Sequence, residues 1–136
     1  MAFAVADIPD LTGCVVVVTG ANGGLGLQTA GVLAARGAHV VLAARDQAKT
    51  ARAVERITRT TPDARLSTVP LDLGSLASVG EAAAAILAEV PRVDVLVNNA
   101  GVMGTPEGRT ADGFETQLGV DHLGHWALTA HLLPAL

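Results

Sequence analysis

Thr19-Gly20-Ala21-Asn22-Gly23-Gly24-Leu25-Gly26 decides the fold of this chain, and it directly follows the apolar run Cys14-Val15-Val16-Val17-Val18. Its four glycines lie between a predicted buried strand and a predicted helix, which indicates a sharp strand-to-helix turn. The first N–H groups of such a helix lack intrahelical partners and carry about half a positive charge. Because glycine has no Cβ, a pyrophosphate can approach them, and the stretch predicts a dinucleotide-binding turn. An ordinary glycine-rich loop is the alternative.

Strands and helices alternate along the rest of the sequence. We predict strands over residues 14–19, 40–43, 66–71 and 93–97. We predict helices over residues 24–36, from the N-cap Asp46 to Pro62, from the N-cap Ser75 to Pro91, and over residues 112–133. Repeated strand–helix units with solid aliphatic strands are typical of a parallel sheet covered on both faces.

We therefore predict one α/β domain over residues 1–136, a Rossmann-like doubly wound parallel sheet of four βα units. Right-handed crossovers give its strands the order 3-2-1-4. Strands one and four are then neighbours, and their carboxyl ends, Thr19-Gly20 and Asn98-Asn99, meet at the crevice where such sheets bind ligands.

Two details of the predicted helices bear on packing. The second helix presents an apolar seam to the core, formed by Ala48, Ala51, Val54 and Ile57. Gly119 and Gly124 weaken the last helix by about 1 kcal/mol each, which indicates close packing or a bend there.

Composition excludes several classes of protein. A net charge of -4 argues against a nucleic-acid partner, which requires a basic surface. Cys14 is the single cysteine, so the chain forms no intrachain disulfide, and a reducing compartment fits. The N-terminus carries no basic residues before Asp7 and Asp10, and no apolar run approaches the ~20 residues of a membrane span. We expect a cytoplasmic protein without membrane contact.

Several motifs together resemble the short-chain dehydrogenase/reductase family, in particular its single-domain branch with the retinol dehydrogenases and protochlorophyllide reductases. They are Thr19-Gly20-x-x-x-Gly24-x-Gly26, Leu71-Asp72-Leu73, Asn98-Asn99-Ala100-Gly101 and Val120-Asp121-His122-Leu123-Gly124-His125. The glycine pattern also resembles the extended branch of sugar-nucleotide epimerases. The Asn-Asn-Ala-Gly run favours the oxidoreductases.

The resemblance implies a role for each cofactor-site residue. Gly20, Gly24 and Gly26 admit the pyrophosphate, and Asp72 with the Leu73 backbone receives the adenine. Residues 98–101, which are Asn98, Asn99, Ala100 and Gly101, line the ribose and brace the fourth strand. The wider cofactor set includes Thr19, Asn22, Gly23 and Leu25. Two alternatives stay open: Asp72 caps the helix after Gly74, and the two asparagines are turn residues.

Cofactor choice depends on the end of the second strand. An NAD enzyme places an acidic side chain there for the ribose hydroxyls, whereas an NADP enzyme supplies Arg. By resemblance Ala44 occupies the acidic position and Arg45 follows it, so we predict NADP(H) over NAD(H). In the alternative, Arg45 is a solvated charge and Asp46 accepts the ribose.

The family resemblance also implies a Ser, a Tyr-x-x-x-Lys pair and a helical Asn for hydride transfer. This sequence has no tyrosine, and its one lysine, Lys49, lies in the second helix, on the wrong side of the fold for that pair. The chain stops before the strand for the Ser, so we expect a portion of an enzyme. Asp121 takes the Asn position and is the one catalytic candidate. A metal site of Asp121, His122 and His125 is the weaker interpretation, and we predict no metal.

We predict the cofactor-binding portion of an NADP-dependent alcohol/ketone oxidoreductase, with an alcohol or carbonyl substrate if the full-length chain exists. The alternatives are a catalytically inactive NADP(H)-binding or interaction module and, third, an epimerase-like enzyme. A homo-oligomer, or strand pairing along the fourth strand at Val93, Val95 and Val97, is also expected.

Overall fold

Four parallel strands form one sheet in the order β3-β2-β1-β4 in the computed structural model, which describes residues 4–136. The strands are β1 (Val15–Thr19), β2 (His39–Ala44), β3 (Arg65–Pro70) and β4 (Val95–Val97). The helices are α1 (Gly24–Ala35), α2 (Gln47–Thr60), α3 (Leu76–Glu89) and α4 (Gly124–Leu132). The predicted α/β class and strand order are confirmed. That residues 1–136 are one domain stays a prediction.

The core has two halves, one on each face of the sheet. Successive strand residues point to opposite faces, so Val15 and Val17 belong to one half, and Val16 and Val18 to the other. On the first face α3 and α4 contribute Val79, Ile86, Leu128 and Leu132. On the second face α1 and α2 contribute Ala30, Ala34, Ala53 and Ile57. Burial on both faces explains why β1 is an unbroken apolar run.

Helix α2 begins as predicted, but its buried seam differs from the predicted one. The Asp46 side chain accepts the Lys49 N–H at 2.9 Å and caps the helix. Ala48 and Ala51 are exposed, and the buried positions are Thr50, Ala53 and Ile57. Thr50 can be buried because its hydroxyl donates to the Asp46 carbonyl at 2.8 Å.

Strand β4 begins at Val95, two residues later than predicted. The N–H of Val93 donates to the Ala135 carbonyl instead of a strand partner. The next residue, Asp94, accepts the Val15 N–H through Oδ2 at 2.8 Å. β4 lies at an edge of the sheet, and Val95 is 47% exposed there.

The last helix begins later than Asp112 and contains a π-helical turn. Gly113 has φ +85°, which a helix does not allow, and Asp112 instead accepts the Leu76 N–H at 2.8 Å. The predicted start at Asp112 is therefore wrong. A π-helical turn, Leu118–Leu123, precedes α4. A Cβ on Gly124 would stand 2.4 Å from the Leu73 carbonyl oxygen, which confirms the predicted close packing.

Candidate dinucleotide-binding site

A cavity of about 410 Å³ opens at the carboxyl ends of β1, β2 and β3 and beside the turn after β4. Seven of the predicted cofactor residues line it: Gly20, Asn22, Arg45, Asp72, Leu73, Ala100 and Gly101. Four separate loops supply them, one after each strand, because parallel strands end at one edge of the sheet. Thr19, Gly23, Gly24, Leu25, Gly26, Asn98 and Asn99 do not line this cavity.

The four glycines of the turn divide into two pairs with different surroundings. A Cβ on Gly20 would stand 2.9 Å from Ala100, and one on Gly26 would stand 2.4 Å from the Asn99 amide nitrogen. These two glycines let the turn pack against the residues after β4. Gly23 and Gly24 have no neighbour within 4 Å of a built Cβ. Gly23 is the N-cap of α1 and Gly24 its first residue, so the open pair lies at the unpaired N–H groups of the helix, the arrangement that a pyrophosphate requires.

Thr19 joins the turn to the residues after β4. Its hydroxyl is fully buried and accepts the N–H groups of Asn99 and Ala100, both at 2.9 Å. The Asn99 amide in turn donates to the Thr19 carbonyl at 2.9 Å. These contacts place Thr19 and Asn99 beneath the cavity, as supports for the residues that line it.

Asp72 stands in the cavity wall and also closes a local turn. Its Oδ1 accepts the Gly74 N–H at 2.9 Å, and its carbonyl accepts the Ser75 N–H at 3.1 Å. The alternative helix-entry role is therefore present only as a turn before α3, whose N-cap is Ser75. It leaves the carboxylate at the cavity beside Leu73.

Two cations border the same cavity, Arg45 and Lys49. The sequence interpretation missed Lys49 as a cavity residue. Its spacing of four residues from Arg45, across the Asp46 cap, is the signal that could have shown it. The carboxylate of Asp46 is engaged locally, because it caps α2 and stands 3.8 Å from the Lys49 ammonium. The Lys49 N–H holds the pKa of Asp46 below its ordinary value.

The loop after β4 and the segment before α4 close the cavity on its remaining side. These residues were also absent from the predicted set: Val102, Thr105, Thr116 and Val120. Val120 belongs to the quoted motif around Asp121, whereas no motif marks the other three, which reach the cavity only through the path of the chain.

Asn98 and Asp121 lie in a second cavity, of about 570 Å³, together with His122, His125 and Trp126. Asp121 does not line the first cavity, and its Oδ1 accepts the Val102 N–H at 2.8 Å. Its catalytic role therefore stays a prediction. Within residues 4–136 no group of three or more His, Cys, Asp or Glu side chains is arranged to hold a metal ion.

His125 is a buried titratable group at the edge of the site. The residue is 6% exposed, with Nε2 2.8 Å from the Thr19 hydroxyl and Nδ1 3.2 Å from the Asp121 carbonyl. Burial lowers the pKa of His125 below its ordinary 6.5, and the Asp121 carbonyl and carboxylate offset part of that shift. The ring is therefore neutral near pH 7.

This lowered pKa predicts a loss of stability in mild acid. Above pH 6.5 the ring is mostly neutral in both the folded and the unfolded chain. Below pH 6.5 the unfolded chain binds a proton at His125 more readily than the folded chain does, because the folded-state pKa is lower. We expect the free energy of unfolding, from urea titrations, to decrease as the pH falls from 6.5 through the folded-state pKa. His125→Gln should show a shallower slope over this range. Equal slopes in the two proteins would contradict the assignment.

The fold and the cavity agree with the family to which the sequence is assigned. The family model for the short chain dehydrogenases matches residues 14–136. The chain therefore belongs to the short-chain dehydrogenase family of oxidoreductases, whose members bind a nicotinamide dinucleotide.

Retinol dehydrogenases are among its relatives, which confirms the predicted branch. Human retinol dehydrogenase 13 is 50% identical over 131 residues, covering 96% of this chain and 39% of the relative. A short-chain dehydrogenase/reductase of Colletotrichum higginsianum is 48% identical over 134 residues, covering 96% and 33%. The chain thus spans less than half the length of these curated relatives.

Solved structures of the family superpose on the described fold. An uncharacterised protein of Mycobacterium paratuberculosis has a TM-score of 0.88 and 44% identity, with 100% of this chain and 47% of that chain covered. The Pseudomonas aeruginosa RhlG/NADP active-site complex has a TM-score of 0.77 and 31% identity, with coverage of 93% and 49%.

Proposed function

We propose that the chain binds NADP(H) in the 410 Å³ cavity, as the cofactor-binding portion of an alcohol/carbonyl oxidoreductase. The observation that carries the preference for NADP(H) is the pair of cations, Arg45 and Lys49, at the carboxyl end of β2. A guanidinium offers a fork of donors to a phosphate, and the ammonium adds a second positive charge. A 2′-phosphate on the adenine ribose is the group that such a pair would hold.

The same end of β2 gives little support for NAD(H). Ala44 is buried and has no side chain that could accept ribose hydroxyls. Asp46, the nearest carboxylate along the chain, also lines the cavity, but it already caps α2 and faces Lys49. Among the structural relatives, RhlG is described as an NADP complex.

The remaining cofactor contacts are proposed on the same cavity and on the turn beside it. Gly23, Gly24 and Leu25 do not line the cavity, but they follow its lining residue Asn22 and present backbone N–H groups at the start of α1 to the pyrophosphate. Asp72 and Leu73 receive the adenine, and Ala100 with Gly101 lies beside the ribose. Bound there, the nicotinamide supplies hydride transfer, while these residues bind and orient it.

The test is a titration of both cofactors against the purified chain. We expect NADPH to bind more tightly than NADH by about tenfold or more, because charged hydrogen bonds to the 2′-phosphate add about 1.5–3 kcal/mol. Isothermal calorimetry or nucleotide fluorescence measures both affinities. Equal or tighter binding of NADH would contradict the proposal.

Binding and turnover are separate expectations. Because the 136 residues contain no tyrosine, we expect the chain by itself to bind NADPH without oxidising it in the presence of a carbonyl compound. This outcome also fits the second candidate, an inactive NADP(H)-binding module. NADPH consumption that follows the chain through purification and is lost in Asp121→Ala would support a catalytic role for Asp121.

The cellular location of the chain and its self-association are also proposals. None of the helices within residues 4–136 combines the length and apolar character that crossing a membrane requires. A cytoplasmic location is tested by fractionation of the source cells. Self-association along β4, where Val95 is exposed, is tested by light scattering of Val95→Lys beside the unchanged chain.

A further inference from the structure

Three polar side chains at a spacing of four residues run along one face of the last helical segment, towards the turn 98–102. Asp121 accepts the Val102 N–H at 2.8 Å, and Thr129 accepts the Asn98 side-chain amide at 3.2 Å. Between them, His125 reaches the turn indirectly, through the Thr19 hydroxyl at 2.8 Å. Residues four apart share a helix face, so the three act on the turn together. The proposed function uses this turn but assigns no role to His125.

The protonation state of His125 follows from a count of donors and acceptors at Thr19. A threonine hydroxyl has one proton to donate and two lone pairs. The N–H groups of Asn99 and Ala100 occupy both lone pairs. The proton can then go to His125 Nε2 at 2.8 Å or to the Val97 carbonyl at 3.4 Å, and the shorter contact is the better bond.

Nε2 must therefore be the acceptor, which leaves the proton of the neutral ring on Nδ1. That nitrogen faces the Asp121 carbonyl at 3.2 Å, an acceptor. A protonated ring would instead need an acceptor at Nε2. The Thr19 oxygen could accept the Nε2–H proton only if it lost its hydrogen bond from the Asn99 or the Ala100 N–H. Protonation of His125 would therefore break a hydrogen bond that holds the turn.

We propose that neutral His125, acting through the Thr19 hydroxyl, positions the turn 98–101 for the cofactor ribose. The proposal rests on the proposed dinucleotide site. His125 is a positioning residue, since it does not line the 410 Å³ cavity.

Few charged groups surround the ring. Asp121 and His122 of the same helical segment share the wall of the second cavity with His125. β1 and the turn contribute the uncharged Thr19, Asn98 and Asn99. Helix α3 packs against α4 through apolar residues, which are Val79, Ala82, Ala83 and Ile86.

Cofactor affinity as a function of pH is the first test. The 2′-phosphate of NADP⁺ has its own pKa at about 6. The affinity of NAD⁺, which lacks this phosphate, is therefore measured beside that of NADP⁺. Between pH 7.5 and 5.5 we expect the unchanged chain to lose affinity for NAD⁺ by less than about tenfold, because the pKa of His125 is lowered, and to lose more for NADP⁺, because its phosphate is also protonated. His125→Gln places an untitratable acceptor near Nε2, so it should bind normally at pH 7.5 and lose the NAD⁺ dependence. His125→Leu should bind weakly at both pH values, and exposed His131→Gln should match the unchanged chain.

Nuclear magnetic resonance of the unchanged chain is the second test, and it needs no cofactor. We expect the ¹⁵N pattern of the Nδ1–H tautomer for His125, and amide shifts of Asn99 and Ala100 that follow the titration of the ring. Thr19→Val should uncouple those amides. Any of three results would overturn the proposal. They are the Nε2–H tautomer for His125, amide shifts of Asn99 and Ala100 that do not follow the titration of the ring, and the same pH dependence of NAD⁺ affinity in the unchanged chain and His125→Gln. Failure of both dinucleotides to bind, with the amides still coupled, would refute the dinucleotide site alone.

Discussion

Gly26→Ala is expected to destabilise the chain by about 3 kcal/mol or more, and to abolish dinucleotide binding as a consequence. A Cβ at this position would stand 2.4 Å from the Asn99 amide nitrogen and 2.5 Å from the Gly20 carbonyl oxygen. Neither group can yield cheaply, because the Asn99 amide is bonded to the Thr19 carbonyl and Gly20 is backbone. Chemical denaturation followed by circular dichroism measures the loss.

Gly23→Ala is the matched control for this substitution. It lies in the same turn, its backbone is extended with φ -173°, and nothing stands within 4 Å of a built Cβ. Because Gly23 is the N-cap of α1, where Ala is less favourable than Gly, we expect its unfolding free energy to fall by no more than about 1 kcal/mol. A Gly26→Ala chain as stable as Gly23→Ala would refute the packing role assigned to Gly26.

The double substitution Arg45→Ala with Lys49→Ala is expected to weaken NADPH binding by about two to four orders of magnitude, estimated from about 1.5–3 kcal/mol for each of two charged hydrogen bonds. Both side chains border the cavity and both are exposed, so the fold should be unaffected. NADH has no 2′-phosphate, and its affinity should change less than threefold or so. Calorimetric titration of both cofactors against the variant gives the comparison.

Arg59→Ala controls for the loss of positive charge in general, because Arg59 is exposed on the last turn of α2 and does not line the cavity. It should leave both affinities unchanged. If Arg59→Ala weakened NADPH as much as the double substitution, the effect would come from net charge and not from a phosphate site at Arg45 and Lys49.

The sheet and its glycine turn were predictable because each rests on a short-range signal. An unbroken apolar run marks β1, and the handedness of crossovers orders the strands once they are counted. Asp46 and Ser75 cap their helices as expected, since a capping side chain bonds within three residues.

The remaining features depend on contacts that no local pattern contains. Thr50 is buried in α2 because its hydroxyl donates a hydrogen bond to the Asp46 carbonyl at the start of the same helix. The spacing of apolar residues alone therefore predicted the wrong buried face. The start of the last helix could have been placed better, since Asp112-Gly113 is a turn signal and Gly113 has φ +85°. His125 looked like a possible metal ligand, whereas its partner Thr19 lies 106 positions away in sequence.

We propose above all that the cavity at the carboxyl ends of the strands holds NADP(H). A crystal structure of the chain grown with NADP⁺ tests it most directly. We predict the 2′-phosphate within hydrogen-bond distance of Arg45 and Lys49, and the pyrophosphate against the N–H groups at the start of α1. A cofactor bound elsewhere, or its adenine ribose held by Asp46 with both cations turned away, would contradict it.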